Sequence, residues 1–454
     1  MKKLTLALAL VSATSVIGAE IENPIVKKLY EKGIITKEEA LELEKKEEKK
    51  FIKHANVIRK DSPVFLFGKE THPNMKIRAF DNPDMYVKLG IRLQSTFENY
   101  KVDYVDPTKT DQNIWDAYLR RMRFEIGVGF SKHVSFTMDV RNDKANYQDK
   151  GEKTFNVGDA YLKVEEPFGT SLVNFKFYRG KIDVSRTETV KSAWVVHHDR
   201  PYVADEAAQF ISHNRRATNA QIYGDWQKKI HYELAFGDAV HAAKFHDAEG
   251  KSLSKKGGKI IDQDFFYGGK LILSPIPGWE EKKRTETYFG EGKHFQVGIG
   301  YWRVPRIRYE YSYEVNDNEK EGINTIDRTL INYEFSAHYK GAFIQAEYFD
   351  FDGVVRDFSA ENQEVGKSKG WYITGEYVIP QLYHIAPFAR YEEWDRWDGE
   401  NKEDYKLKST VFGLNWYLRG NTTKVGIAYQ EDDYGRETGD KKVKRIKFTS
   451  QWFF

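Results

Sequence analysis

The chain after Pro83 is dominated by a two-residue alternation of apolar and polar side chains, which holds for the remaining 370 or so residues. This period places successive side chains on opposite faces of a β-strand, whereas helical patterns repeat about every 3.6 residues. In the clearest stretch one face carries Tyr118, Met122, Phe124, Ile126, Val128 and Phe130, and the other carries Arg121, Arg123, Glu125, Gly127 and Gly129. The alternation predicts an all-β domain whose strands have one apolar and one charged face.

Hydropathy and composition restrict what those apolar faces can contact. The mean hydropathy is −0.67, and no apolar run reaches the ~20 residues of a spanning helix, which excludes a helical membrane protein. Aromatic residues nevertheless make up 15% of the chain, so many of them need an apolar environment. The absence of cysteine excludes a disulfide framework, a thiolate zinc site and a cysteine nucleophile.

The lengths of the connections favour a membrane barrel over a soluble sandwich, which would show the same alternation. Tight turns are expected near residues 131–132, 167–170, 227–228, 340–341, 381–383 and 420–421. Longer loops alternate with them at residues 101–114, 142–153, 185–216, 239–261, 314–325, 352–367, 398–404 and 432–440. An even count of about sixteen strands, with short turns at one end, predicts a 16-stranded antiparallel transmembrane β-barrel. The long connection at 275–292 does not fit this rule.

The last strand supports the same architecture. Ile446, Phe448, Trp452 and Phe454 alternate with Arg445, Lys447, Thr449, Gln451 and Phe453, and the strand resembles the terminal strand by which outer-membrane barrels are recognised for assembly. A secreted soluble all-β binding protein is the alternative at this point.

Three segments are expected along the chain. Residues 1–19 combine a positively charged start, an apolar stretch and a small-residue cleavage point, which predicts a signal peptide and export. Residues 20–62 indicate a short periplasmic helical segment with capping-box spacing at Thr36 and Glu39. This segment is either a solvated linker or a small oligomerisation or cell-wall-tethering element. Residues 63–454 form the predicted barrel domain.

Motifs that carry catalysis or bind metals are lacking in the sequence. The run at 290–293 (GEGK) lacks the upstream Gly and the Ser/Thr of a phosphate-binding loop, and 350–353 (DFDG) lacks the remaining ligands of a calcium loop. We therefore expect no enzymatic activity, no cofactor and no metal. An outer-membrane barrel enzyme with sequence-distant Ser and His partners is the alternative. The net charge of +3 favours no nucleic-acid partner.

The longest connection, residues 185–216, is basic and partly apolar. Its charged residues are Arg186, Lys191, Arg200, Arg215 and Arg216, with His197 and His198, against Glu188, Asp199, Asp205 and Glu206. Its apolar residues at 193–196 and 207–211 would not be needed in a freely solvated loop. We predict that the loop folds into the barrel and narrows it. Folding outward as a lid or a trimer contact is the alternative.

Four segments resemble the phosphate-selective porin O and P family. They are residues 119–130 (LRRMRFEIGVGF), 159–164 (DAYLKV), 175–188 (FKFYRGKIDVSRTE) and 412–430 (FGLNWYLRGNTTKVGIAYQ). The resemblance implies a sixteen-stranded homotrimeric porin in the cell outer membrane, in contact with outer-membrane lipid. It also implies that basic residues of the lumen and the third loop draw in small anions such as phosphate.

The expected function is therefore passive diffusion of small anionic solutes. The candidate anion-pathway residues are Arg92, Arg121, Arg123, Lys181, Arg186, Lys191, Arg200, Arg215, Arg445 and Lys447. Arg121 and Arg123 share one strand face about 7 Å apart, so a phosphate-sized anion could reach both. Glu125 and Asp139 lie on the same faces, so general porin behaviour is the alternative to phosphate preference.

Overall fold

The computed structural model describes residues 24–43, 75–78, 82, 84–145, 147, 154–212, 216–276, 285–289 and 293–453. The chain divides into two compact units, Met1–Ser62 and Pro63–Phe454. No helix in the described ranges is long and apolar enough to cross a membrane. The expected signal peptide, residues 1–19, lies outside the described residues, and the boundaries of the three segments stay predictions.

The first unit contains short helices at the expected places. A helix spans Pro24–Glu31, and Gly33 follows it with φ +66°, a conformation that favours glycine. A second helical stretch covers residues 37–43. The Thr36 amide donates to the Glu39 carboxylate at 2.8 Å, and the Glu39 amide donates to the Thr36 hydroxyl at 3.2 Å. The predicted capping box is confirmed.

The second unit consists of β-strands with few helical turns. The first nine strands are β1 Met75–Arg78, β2 Tyr86–Tyr104, β3 Gln112–Gly129, β4 Val134–Ala145, β5 Asn156–Val164, β6 Asn174–Gly180, β7 Ala217–Trp226, β8 Ile230–Gly237 and β9 Lys259–Gln263. The others are β10 Phe266–Ile276, β11 Lys293–Val315, β12 Asn318–Tyr339, β13 Ala342–Val355, β14 Val365–Tyr377, β15 Ile385–Asp395, β16 Lys406–Asn421, β17 Thr423–Tyr434 and β18 Lys441–Phe453. The helical pieces in this unit are Arg186–Thr189, Tyr202–Phe210, Ala242–Lys244, Leu253–Lys256, Pro380–Leu382, Lys402–Tyr405 and Arg436–Thr438.

Sixteen of the described strands, β2–β8 and β10–β18, form a closed antiparallel barrel. The ring closes where β18 pairs with β2, from Lys441 opposite Tyr104 to Phe453 opposite Arg92. The two short strands lie at the rims, where β1 pairs with the start of β2 and β9 pairs with β11 beyond the end of β10. The predicted 16-stranded barrel is therefore confirmed.

The connections alternate between a turn end and a loop end, with one expectation wrong. The predicted long loop at 314–325 is a two-residue hairpin, because Asn316 and Asp317 have φ of +51° and +59° and join strands of 23 and 22 residues. A strand that extends beyond a membrane meets water on its outer face. The polar residues that suggested a loop are therefore compatible with strand structure there.

The strand faces follow the alternation up to a local irregularity in β3. Outward residues such as Phe124 and Phe412 are 43% and 53% exposed, while the inward Arg121 is 3% exposed. An apolar outer surface on a closed ring fits the membrane interpretation and contradicts the soluble alternative. The pairing of β2 with β3 shifts at Gln94, which leaves Arg120 as an extra residue. Tyr118 is consequently buried inside the barrel, so its predicted outward position is wrong.

The interior at the loop end is a hydrophobic core. Phe210 of the third loop packs edge-on against Phe351 of β13, with ring centroids 5.1 Å apart. Phe245 of the fourth loop, residues 238–258 between β8 and β9, packs in the same way against Tyr309 of β11 and Phe358. The third and fourth loops therefore fill part of the lumen.

Candidate functional site

The third loop, residues 181–216 between β6 and β7, folds into the barrel as its apolar residues predicted. Val184, Ala193, Val195 and Ile211 are all fully or almost fully buried, and the helix Tyr202–Phe210 belongs to the interior core. A loop buried in this way has to satisfy its backbone polar groups inside the lumen.

Two glutamates of the barrel wall hold the loop at its helix starts. Glu347 of β13 accepts hydrogen bonds from the Arg186 and Thr187 amides at 2.9 and 3.0 Å. Glu392 of β15 accepts one from the Val203 amide at 2.6 Å. Amides at helix starts lack intrahelical partners and favour negative charge, so these carboxylates fix the loop against one wall.

Residues 285–289, the described part of the long connection between β10 and β11, also contact the third loop inside the barrel. The Arg186 guanidinium donates to the Thr285 carbonyl at 3.0 Å, and the Glu286 carboxylate accepts from the Val196 amide at 2.8 Å. Tyr288 stacks on His338 of β12 with ring centroids 4.5 Å apart. The connection at 275–292 is longer than the other turns at this end, and its described part forms hydrogen bonds with the third loop.

Among the described residues, the Glu125, Asp143 and Glu188 carboxylates inside the barrel are each shared by two basic side chains. These shared-carboxylate groups are Glu125 with Arg92 and Lys191, Asp143 with Arg123 and Arg141, and Glu188 with Lys181 and Arg200. Apart from the short Arg92 contact, the nitrogen–oxygen distances run from 2.5 to 3.7 Å. Five of the candidate cations, together with Arg141, are thus distributed among these three groups, and each group has two cations for one carboxylate.

Arg445 and Lys447 on β18 bind a second set of acids. Arg445 forms an ion pair with Asp432, and Lys447 lies 2.5 Å from Asp199 of the third loop. Arg120 contacts the same Asp199 carboxylate at 2.8 Å. Sequence reasoning missed Arg120, because only the irregularity in β3 turns two consecutive arginines inward.

Arg121 and Arg186 have only neutral partners among the described residues. Arg121 donates to the Gln94 side-chain oxygen at 2.7 Å and to the His198 carbonyl at 3.0 Å. Arg186 donates to the Gln345 and Gln296 side chains at 3.0 and 3.2 Å. No carboxylate of a described residue lies within 4 Å of either guanidinium.

Two further basic residues are Arg215 and Lys424. The candidate Arg215 lies outside the described residues. Lys424 of β17, which was not among the candidates, is buried and donates to the Val195 carbonyl at 2.5 Å. Its position among Gly426, Gln430 and Asp432 on the polar face of the alternation is a signal that could have found it.

The histidines of the third loop do not add to its positive charge. Burial, together with the positive charge of Arg390, lowers the pKa of His197 to about 3. Burial and Lys424 likewise hold the pKa of His198 well below its usual value. Both rings are neutral at neutral pH, so the charge of the loop comes from its lysines and arginines.

Water reaches the interior mainly along β4 and β5. Their inward residues Thr137, Tyr161 and Lys163 are half-buried, whereas inward residues of β12–β17 such as Asn332 and Ser409 are fully buried. The third loop therefore fills the lumen beside β12–β17 and leaves space along β3–β6. Lys191, whose side chain is 40% exposed, faces this space.

Comparisons with known proteins agree on the fold. No family model matches the chain. A relative from Aquifex aeolicus (strain VF5), described as an uncharacterized protein, is 26% identical over 482 residues and is covered completely, as is this chain. The outer membrane channel DcaP of Acinetobacter baumannii is 11% identical with a TM-score of 0.53, over 83% of this chain and 99% of that one. Pseudomonas putida OprB is 11% identical with a TM-score of 0.50, over 81% and 94%. These likenesses show an outer-membrane barrel fold alone, and membership of the phosphate-selective family stays a prediction.

Proposed function

We propose that the protein is an outer-membrane porin, a passive channel for small anionic solutes. The turn end faces the periplasm, the loop end faces outward, and the third loop forms the constriction. Residues 1–19 direct export, residues 20–62 stay in the periplasm, and three copies assemble in the membrane. The likeness to the outer membrane channel DcaP supports the fold that this function needs.

The observation that carries the anion preference is the two-to-one ratio of cations to acids in the shared-carboxylate groups. Counted over the described residues, each group brings two positive charges within 4 Å of one carboxylate. Charges at a low-dielectric wall act more strongly than charges in bulk water. The space along β3–β6 therefore attracts anions and repels cations.

The same groups keep anion binding weak enough for conduction. A passing phosphate competes with Asp143 for the guanidiniums of Arg123 and Arg141, which already donate to that carboxylate. Arg186 and Arg121, which have no carboxylate partner among the described residues, supply further positive potential. Fast passage requires such weak, repeated contacts. We propose phosphate as one of the solutes on this basis and on the family resemblance.

The test is the reversal potential of the full-length protein in a planar bilayer under a salt gradient. Lys191→Glu changes the Glu125 group from a surplus of one positive charge to one negative charge, so selectivity should shift towards cations. Lys442→Glu is the matched control, because Lys442 lies on β18 at the loop end, half-exposed and 3.6 Å from Asp433. Equal reversal potentials for both variants and the unaltered protein would contradict the proposed constriction.

A second variant separates selectivity from simple charge neutralisation. Arg123→Ala should also shift the reversal potential towards cations if the Asp143 group lines the path. If Arg123 only neutralises acids, the variant lowers stability or expression and leaves the reversal potential unchanged. Inorganic phosphate added to a chloride current should reduce it, and an unchanged current would restrict the function to general anion passage.

A further inference from the structure

A small cavity lies at the loop end, apart from the space along β3–β6. It has a volume of about 120 Å³ and lies between the helix Tyr202–Phe210, the fourth loop at His246 and Asp247, and the barrel wall. Arg396, which follows β15, is another of its lining residues. None of the groups proposed above to set ion selectivity lines this cavity.

Arg396 is a cation without a partner in this cavity. Its Nε is buried and makes no hydrogen bond, and no carboxylate of a described residue lies within 4 Å of its guanidinium. The guanidinium stacks on Trp394, 4.4 Å from the ring centroid. The space it occupies exists because Gly250 has no side chain, since a Cβ there would lie 2.2 Å from Arg396 Nη1. A partly buried guanidinium that donates to no described residue has free capacity for an anionic ligand group.

A negative group lines the same cavity without touching that cation. The Glu206 carboxylate lies 3.7 Å from His246 Nδ1. Burial alone would raise the pKa of Glu206, but His246 and Arg396 together lower it, so the group is ionised at neutral pH. The Arg396 guanidinium and the Glu206 carboxylate thus line the same small cavity, with their nitrogen and oxygen atoms more than 4 Å apart. A direct ion pair between Glu206 and Arg396 would have satisfied both groups and left neither for a ligand.

Apolar side chains form the rest of the lining. Phe210, Phe351 and Val354 are buried and contribute faces that cannot hydrogen-bond. A volume of about 120 Å³ equals the share of roughly four water molecules in the liquid, which admits a solute of about six non-hydrogen atoms. Such a solute needs one negative group, one positive group and little else.

We propose that this cavity binds a small zwitterion, a molecule with a carboxylate and an ammonium group on neighbouring atoms, such as a short α-amino acid. Arg396 donates two hydrogen bonds to the carboxylate, Glu206 accepts hydrogen bonds from the ammonium, and the apolar faces contact the short side chain. The inference rests on the proposed function in one respect only, namely that the solute arrives at the outer mouth of the channel. The site would hold such a solute before it enters the space along β3–β6.

The test is equilibrium dialysis of labelled L-alanine against the full-length protein in detergent, with single-channel conductance measured on the same preparation. L-alanine should bind saturably and at least tenfold more tightly than propionate, which lacks the ammonium, or ethylamine, which lacks the carboxylate. Arg396→Gln and Glu206→Gln should each weaken binding about ten- to a hundredfold, because each removes charge-assisted hydrogen bonds. Arg436→Gln is the matched control, since Arg436 is 75% exposed and 3.9 Å from Glu437.

Several outcomes would overturn the zwitterion site. Propionate that competes as well as L-alanine would reduce it to a carboxylate site, and equal competition by ethylamine would reduce it to a cation site. A protein that conducts anions but binds no L-alanine would refute the site and leave the channel intact. Binding without anion-selective conductance would refute the channel and support the site. Should Arg396→Gln fail to fold, Arg396→Lys keeps the charge and loses the two-pronged contact, so unweakened binding by that variant would also refute the proposal.

Discussion

Glu347→Ala should release the first part of the third loop. The Glu347 carboxylate accepts hydrogen bonds from the Ser185 hydroxyl at 3.0 Å and from the Arg186 and Thr187 amides at 2.9 and 3.0 Å. Two wall residues, Asn332 and Tyr372, donate to the same carboxylate. Alanine leaves all of these buried donors without an acceptor.

The size of the effect follows from the burial of that network. Breaking a buried charged network by removing one partner costs about 3–5 kcal/mol. Three of the five donors belong to the loop, so most of this cost falls on the docked position of residues 185–187. At about 1.4 kcal/mol per tenfold change, the displaced state becomes roughly a hundred- to several-thousandfold more populated.

Single-channel conductance and limited trypsin digestion both report loop displacement. We expect a larger and noisier conductance and faster cleavage within the third loop. Glu364→Ala is the matched control, because the Glu364 side chain is 55% exposed and pairs with an exposed Arg356 at 2.9 Å, a contact worth about 0–1 kcal/mol. Conductance and cleavage that stay equal to those of the unaltered protein would refute the anchoring role of Glu347.

Three further predictions concern the barrel, the first unit and pH. The closed barrel should migrate differently on gels before and after heating, and a protein that stays monodisperse without detergent would contradict a lipid-facing surface. Deleting residues 20–50 should leave single-channel conductance nearly unchanged, because the short helices lack a continuous apolar face, and loss of membrane assembly would contradict this. Burial and Glu249 raise the pKa of Asp247 to about 6 from 3.8. The folded state then holds this proton more tightly than the unfolded state, so about 3 kcal/mol of stability is present below pH 4 and is lost as the pH rises through 6. Asp247→Asn should flatten the thermal stability of the protein between pH 4 and 7, and an unflattened profile would assign the dependence to other groups.

The architecture was predictable because alternation and turn chemistry are local properties. The residues from Met122 to Val128 have the predicted faces, and the pairs at Lys340 and Gly341 and at Gln227 and Lys228 form the expected turns. The incorrect prediction of a loop at 314–325 also comes from local properties, since a polar strand outside the membrane and a polar loop have similar composition.

The arrangement of charges inside the barrel was less predictable. Which carboxylate Arg92 or Lys191 binds depends on how the third loop crosses the lumen, and no local pattern encodes that path. The inward turn of Arg120 depends on a one-residue irregularity in the pairing with β2. The insertion of residues 285–289 into the barrel likewise depends on long-range contacts. The unexpected length of the 275–292 connection was the only sign in the sequence that this part of the chain is irregular.

The third loop also has a mechanical consequence for the membrane. It is bonded to widely separated parts of the wall, with Arg92 of β2 donating to Ser192 at 2.8 Å, Lys424 of β17 donating to Val195 and Ser185 donating to Glu347 of β13. An empty barrel can flatten when the surrounding bilayer thins or is stretched, and mismatch contributes only fractions of a kcal/mol per Å. Several buried hydrogen bonds, worth about 1 kcal/mol or more each, outweigh that force. The cross-section at the constriction should therefore stay nearly constant in thin and thick bilayers, and solute passage should be insensitive to the lipids around it.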